Sequence, residues 1–271
     1  PGLKAAPSTA KCRRRLFPRQ EWYRRFPRKA AGIMPPAALD KEVRSISKKS
    51  ESFEQACLEA GLGLREVFAT AQHCLKLFLE PGGEYAWFFQ RLRVAYSAGS
   101  FLFVHAGIDD ALARRLDKQG VKRINRNAQK AMRRDPFGFY FGPRANAMRT
   151  KYRETNFPLT KTGVEQFHRA GFHAVVHGHR NTHTGQRLML RHGVLHIECD
   201  TTMNCNSRSV QGLPGAGFGV TIIDPAVTIT GLSSDHPRAK IFQPDNYLGH
   251  AETAHYEAEH QTVSSRLAAG P

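Results

Sequence analysis

Two apolar runs that each stop at a histidine, with a glycine one or two residues on, constrain this chain more than anything else in it. They are Phe101-Leu-Phe-Val-His-Ala-Gly-Ile-Asp109 and His173-Ala-Val-Val-His-Gly-His-Arg180. Short all-apolar runs read as strands buried on both faces, the habit of a sheet covered by other layers. A glycine so near the histidine permits a tight turn and close approach of backbone and ligand. Histidines held at strand ends are donors fixed in direction on stiff supports, which is what a metal site needs.

The segments around these runs predict the rest of an α/β core. Leu39, Val43, Ile46, Phe53 and Cys57 recur at helical spacing, followed by Gly61 and Gly63. Val67 to Leu79 predicts a second helix closed by Pro81-Gly82-Gly83, and Tyr85 to Tyr96 a third, with Trp87 and Phe88 expected in the core. After the strand Phe101–Val104 come polar helical stretches at Ala111–Leu116 and Ile124–Met132. A loop dense in glycine, proline, aromatics and arginines runs from Asp135 to Leu159. Thr160 or Thr162 can cap a helix that Gly171 stops. The strand Ala174–Val176 precedes a predicted hairpin, Arg187–Leu190 and Val194–Ile197 around Arg191-His192-Gly193, then strands at Phe218–Ile223 and Val227–Ile229. Helices, strand, helices, strand and then a run of short strands imply an α/β sheet closed by antiparallel strands.

Composition sets the boundaries. Residues 1–36 are rich in proline, arginine and lysine and are expected to be a basic tail; residues 37–231 form the domain, with a helical insert at 37–98; residues 232–271 are expected to be disordered. The five cysteines are odd in number and include no Cys-x-x-Cys pair, which argues against a disulfide framework or thiolate zinc site and for a reducing, cytoplasmic setting. No apolar run reaches membrane-spanning length, so no membrane partner is expected. The formal charge of +17 admits nucleic acid as a partner, chiefly through the Lys11-Cys-Arg-Arg-Arg15 run, although no RNA-binding aromatic motif or zinc-finger spacing accompanies it.

The Val-His-Ala-Gly of Val104–Gly107 and the Val-Val-His-Gly-His-Arg of Val175–Arg180 resemble the last two metal motifs of the calcineurin-like metallophosphoesterases. Within them they are most similar to the phosphoprotein (serine/threonine) phosphatase branch and its bacterial relatives. The resemblance runs from about Leu39 to Gly231. It implies a β-sandwich flanked by helices, two divalent ions of the manganese, iron or zinc kind, and hydrolysis of a phosphomonoester, with phosphoproteins among the substrates. It makes His105 and His179 metal ligands. Asn181 stands where other branches carry a further histidine. In Phe141-Gly-Pro-Arg-Ala-Asn-Ala-Met-Arg149 it makes Arg149 the phosphate-gripping residue, with Arg144 and Arg153 as rivals.

The family's earlier motifs, Asp-x-His-Gly, Gly-Asp-x-x-Asp-Arg-Gly and Gly-Asn-His-Glu/Asp, have no counterpart, and the sequence contains no Gly-Asp dipeptide. The resemblance is therefore to the C-terminal portion of the domain. No catalytic acid or base is assigned, and the chain alone is expected to be inactive. The alternative is a basic nucleic-acid-binding or scaffold protein built on a phosphatase half. The other polar residues have plainer readings: His177 as a packed core group, His173 as half-exposed, and His183, His192 and His196 as surface or packing residues. Asp109 and Asp110 read as helix caps, and Glu198 and Asp200 as the end of a strand.

Overall fold

Leu102 and Val175, side by side on neighbouring parallel strands, are both fully buried and lie at the centre of the sheet that the apolar runs predict. In this computed structural model residues 7–17, 20–30, 36–134, 139–140, 144–150, 158–224 and 228–243 are described. The chain divides into two units, Pro1–Arg93 with Glu154–Phe157, and Val94–Arg153 with Pro158–Pro271.

The described part of the first unit is helical. Its elements are α1 (Thr9–Leu16), α2 (Gln20–Ala30), α3 (Pro36–Glu59), α4 (Leu64–Leu79) and α5 (Ala86–Arg91). α1 packs on α4, α2 on α3, and α4 on α5. The two predicted helices of the insert appear as α3 and α4. Three expectations are corrected. The basic tail contains two helices, because Trp22, Phe26 and Ala30 recur every four residues and Trp22 stacks on Phe26 at 4.5 Å. The third predicted helix ends at Arg91, and Ala95–Ala98 is a strand. Trp87 and Phe88 are 53% and 48% exposed, so helical spacing did not bury them.

The second unit holds the predicted α/β core. Strands β1 (Ala95–Ala98), β2 (Phe101–Val104), β3 (Ala174–His177), β4 (Arg187–Arg191) and β5 (Val194–Glu198) form one mixed sheet in the order β1-β2-β3-β5-β4. β2, β3 and β5 run parallel, and β1 and β4 are antiparallel borders. His192 and Gly193 both have positive φ (50° and 88°), the conformation a two-residue hairpin turn between β4 and β5 requires. A second, antiparallel sheet consists of β6 (Gly219–Asp224), β7 (Thr228–Ser233) and β8 (Lys240–Phe242). β8 lies inside the predicted C-terminal tail, which corrects its boundary at residue 232. The remainder of that tail, from 244, lies outside the described residues.

One face of the mixed sheet packs against α6 (Asp110–Arg134) and α7 (Lys161–Arg169). Leu102, Val175 and Val194 there meet Leu112, Leu116, Ile124 and Phe167. Each such side chain contributes roughly 1.5–3 kcal/mol by leaving water. The two polar helical stretches predicted around residues 111–132 are both present within α6, separated by a kink at Gly120, whose backbone (φ 68°, ψ 166°) is not helical. The other face of the sheet packs on the second sheet through Val176, Leu188, Ile197, Ile229 and Phe242. The unit is therefore an α/β fold of helices, mixed sheet and antiparallel sheet. In the loop between β5 and β6 a short helix, α8 (Cys205–Val210), carries Arg208. Its buried guanidinium donates to the Asp235 carboxylate and to the carbonyls of Thr202, Pro214 and Gly215, closing that loop.

Candidate functional site

β2, β3 and β5 point the same way, so their carboxyl ends open together on one edge of the sheet. In sheets of this kind ligands bind outside the carboxyl ends of the parallel strands. His105 directly follows β2, His179 lies two residues beyond β3, and Asp200 two residues beyond β5. The structure brings His105 and His179 together: Nε2 of His105 stands 2.9 Å from Nδ1 of His179, with ring centroids 4.8 Å apart. The Gly178 amide donates to the His105 carbonyl at 2.9 Å, which ties the two loops.

The geometry at His179 has a local cause. Its φ is +69°, a left-handed conformation that costs a non-glycine residue on the order of 1 kcal/mol or more. Gly178 lets the loop run close to the end of β5, since a Cβ there would stand 3.2 Å from Cβ of Asp200. Asp200 is itself fixed, its carbonyl accepting from the amide and hydroxyl of Thr182.

A second group of side chains adjoins this edge. Ala106 donates its amide to the carbonyl of Ala147 at 2.7 Å, placing the short 3-10 helix Ala145–Met148 beside His105. Buried Asn146 donates through Nδ2 to the Asp109 carboxylate, and its Oδ1 accepts both Nε (2.9 Å) and Nη2 (2.6 Å) of Arg149. The Arg149 guanidinium also lies over the Tyr140 ring, 5.7 Å from its centroid. Asp109 caps α6, accepting the Leu112 amide at 2.8 Å. Burial raises the Asp109 pKa, while the bonds from Leu112 and Asn146 oppose that rise. Asp110 instead accepts the amide and hydroxyl of Thr160, the residue capping α7.

Asn146 is the residue that sequence reasoning missed. Its signal was an amide between two small apolar residues, Ala145 and Ala147, in a stretch otherwise read only for its arginines. Of the rivals to Arg149, Arg144 borders the same helix, and burial together with nearby Arg115 lowers its pKa. Arg153 lies outside the described residues.

The remaining histidines divide between packing and surface positions as read, with His173 more exposed than expected. His177 and His196 are buried, His177 Nε2 lying 3.4 Å from His196 Nδ1, and burial depresses both, His177 to about 4. His173, His183 and His192 are exposed. Glu198 is fully buried and ion-paired to Arg187, with Arg180 at 3.9 Å.

Two imidazole nitrogens bound to one ion at about 2.1 Å stand about 3.0–3.4 Å apart for near-right to tetrahedral angles. At 2.9 Å the facing nitrogens of His105 and His179 are slightly closer than that and hydrogen-bond each other, so both rings would have to turn for the pair to form one side of a divalent ion's shell. A two-ion centre is a different matter. Among the described residues no cluster of three or more His, Cys, Asp or Glu could hold an ion, so no bridging carboxylate stands beside the pair. Also among the described residues, no helix is long and apolar enough to cross a membrane.

No protein family matches the sequence, and no curated protein matches it. Among solved structures, a cold-active protein-tyrosine phosphatase of a psychrophilic Shewanella species is similar over 59% of this chain and 46% of that chain, at 16% identity and a TM-score of 0.39. A point mutant of a cold-active protein-tyrosine phosphatase is similar over the same shares, at 15% identity and a TM-score of 0.39. This chain thus spans less than half the length of those proteins. Likenesses so distant carry no argument about its chemistry.

Proposed function

We propose that this chain carries the histidine side of a metal-dependent phosphoesterase site, of the calcineurin-like type that its two motifs resemble. The observation that carries the reading is the approach of His105 and His179 at the carboxyl ends of adjacent parallel strands. Neutral imidazoles suit iron and zinc, and manganese is favoured when carboxylates join them. When bound, such an ion polarises a phosphoryl oxygen and acidifies water. The chain's own part is to hold the two donors in place and to present a guanidinium anchored on Asn146. Arg149 is the phosphate-gripping residue in this reading, since a guanidinium fork suits two phosphoryl oxygens at once. Hydrolysis requires carboxylates that the described residues do not bring to the pair, so turnover is not expected from these residues alone.

The test is calorimetric titration of the full chain with orthovanadate or phosphate, with and without added Mn²⁺ or Zn²⁺. Binding should need the metal and vanish in His179→Ala. In Arg149→Ala it should weaken by about 1.5–3 kcal/mol, the worth of a charge-assisted pair. Anion binding that is the same without metal and in His179→Ala overturns the reading.

A further inference from the structure

The solvent side of α6 is a basic ladder that the phosphoesterase reading does not use. Arg114, Lys118, Lys122, Arg126, Lys130 and Arg134 recur every fourth residue, with Arg123 beside them, and all seven are exposed. At 3.6 residues per turn, Lys122, Arg123, Arg126, Lys130 and Arg134 fall within an arc of about 120° beyond the break at Gly120. Ile124, Asn125 and Ala128 fill the opposite arc and are buried. Leu112, Ala113 and Leu116 are likewise buried in the segment before the break, where Arg114 and Lys118 face solvent.

Charge is not balanced on this face. The helix has only two acids: Asp110 is bonded to Thr160, and Asp117 pairs with Arg169. Among the described residues no ion pair joins any of the seven cations to a carboxylate.

We propose that this face of α6 binds the phosphate backbone of nucleic acid. Beyond the kink at Gly120 the successive rungs Lys122, Arg126, Lys130 and Arg134 stand about 6 Å apart along the helix axis. A nucleic acid strand carries a phosphate about every 3.4 Å of axis, so the ladder meets roughly every second phosphate of a strand laid along it. A membrane surface fits worse, because an interfacial helix needs an apolar face to insert and the apolar face of α6 is committed to the core. α6 contains no aromatic residue on which a base could stack, so the contact reads backbone and not sequence.

The experiment measures binding of fluorescent single-stranded and duplex oligonucleotides of random sequence to the full chain, in EDTA, across a salt series. EDTA keeps the outcome independent of any metal at His105 and His179. The triple variant Lys122→Gln, Arg126→Gln, Lys130→Gln should flatten the slope of log affinity against log salt by about 2–3 for duplex DNA. The charge-keeping variant Lys122→Arg, Arg126→Lys, Lys130→Arg should retain it. A control removing the same charge elsewhere, Lys11→Gln, Arg14→Gln, Arg24→Gln, should leave the slope nearly unchanged. Thermal melts confirm that each variant is folded. The proposal is overturned by equal flattening in both Gln variants, by an unchanged slope in the α6 variant, by absence of binding at low salt, or by binding to anionic vesicles in place of oligonucleotides.

Discussion

Nε2 of His105 lies 2.9 Å from Nδ1 of His179, although 74 residues separate the two in the chain. One ring donates an N–H to the other at this distance, so the contact needs no ion to hold it. An ion that bound there would replace the shared proton, with both facing nitrogens turned into donors of lone pairs. The arrangement rests on the parallel pairing of β2 with β3 and on the Gly178–His105 backbone bond, both of which are independent of the imidazoles.

Gly163 in α7 should not tolerate alanine. Helix propensity alone favours alanine there by about 1 kcal/mol. A Cβ at Gly163, however, would stand 2.0 Å from Oδ1 of Asp110 and 3.0 Å from Leu159. Asp110 cannot swing away without losing its bonds to Thr160. Overpacking of this kind costs about 1–3 kcal/mol, so the clash wins. Gly163→Ala should lower the urea midpoint, and a raised midpoint would show that α6 and α7 are not joined through Asp110.

Asn146→Ala should destabilise the chain by about 1–3 kcal/mol near pH 7, because a buried carboxylate loses a donor and Arg149 loses its anchor. The deficit should depend on pH. Burial raises the Asp109 pKa above its unfolded value. A raised carboxyl favours the folded state when protonated, an advantage present at low pH and lost as pH climbs through the folded pKa. Removing Asn146 takes away a bond that lowers this pKa, so the variant's deficit should shrink on acidification. Denaturant curves at neutral and acid pH check this; a deficit that grows in acid contradicts it.

The His177–His196 pair should make the fold acid-sensitive. Burial holds His177 down to about 4 and His196 well below its usual range. Unfolded, each takes up a proton near pH 6.5, so the stability of the neutral pair is present above about that pH and is lost as pH falls toward about 4. For His177 alone the loss is about 3 kcal/mol. His196→Gln should give a shallower fall of stability over this window than the unaltered chain. Parallel curves would contradict the assignment.

What could be read in advance follows from where the causes lie. The strands at Phe101–Val104 and Ala174–His177 and the hairpin through His192-Gly193 are written locally, as apolar runs and a turn that tolerates positive φ. The mutual approach of His105 and His179 followed from two strand ends in one parallel sheet. β8 was not legible, because three residues, Lys240 to Phe242, become a strand only by pairing with β7. The exposure of Trp87 and Phe88 was equally hidden, since periodicity marks an apolar stripe and not what covers it. Asn146 acquires its meaning from Asp109, 37 residues away, and no local pattern records that contact.

The central claim, that His105 and His179 form one side of a metal site, is tested most directly by titrating the full chain with Zn²⁺ and Mn²⁺ by calorimetry, beside His105→Ala and His179→Ala. Loss of one of so few donors should weaken binding at least about tenfold, comparable to or larger than removal of an outer-shell partner. Affinity should also fall as pH drops, since protons compete for the same nitrogens. Metal binding in the unaltered chain that either substitution abolishes, with His173→Ala unchanged, is the predicted result. Equal affinity in all four proteins, or none in the unaltered chain, would contradict it.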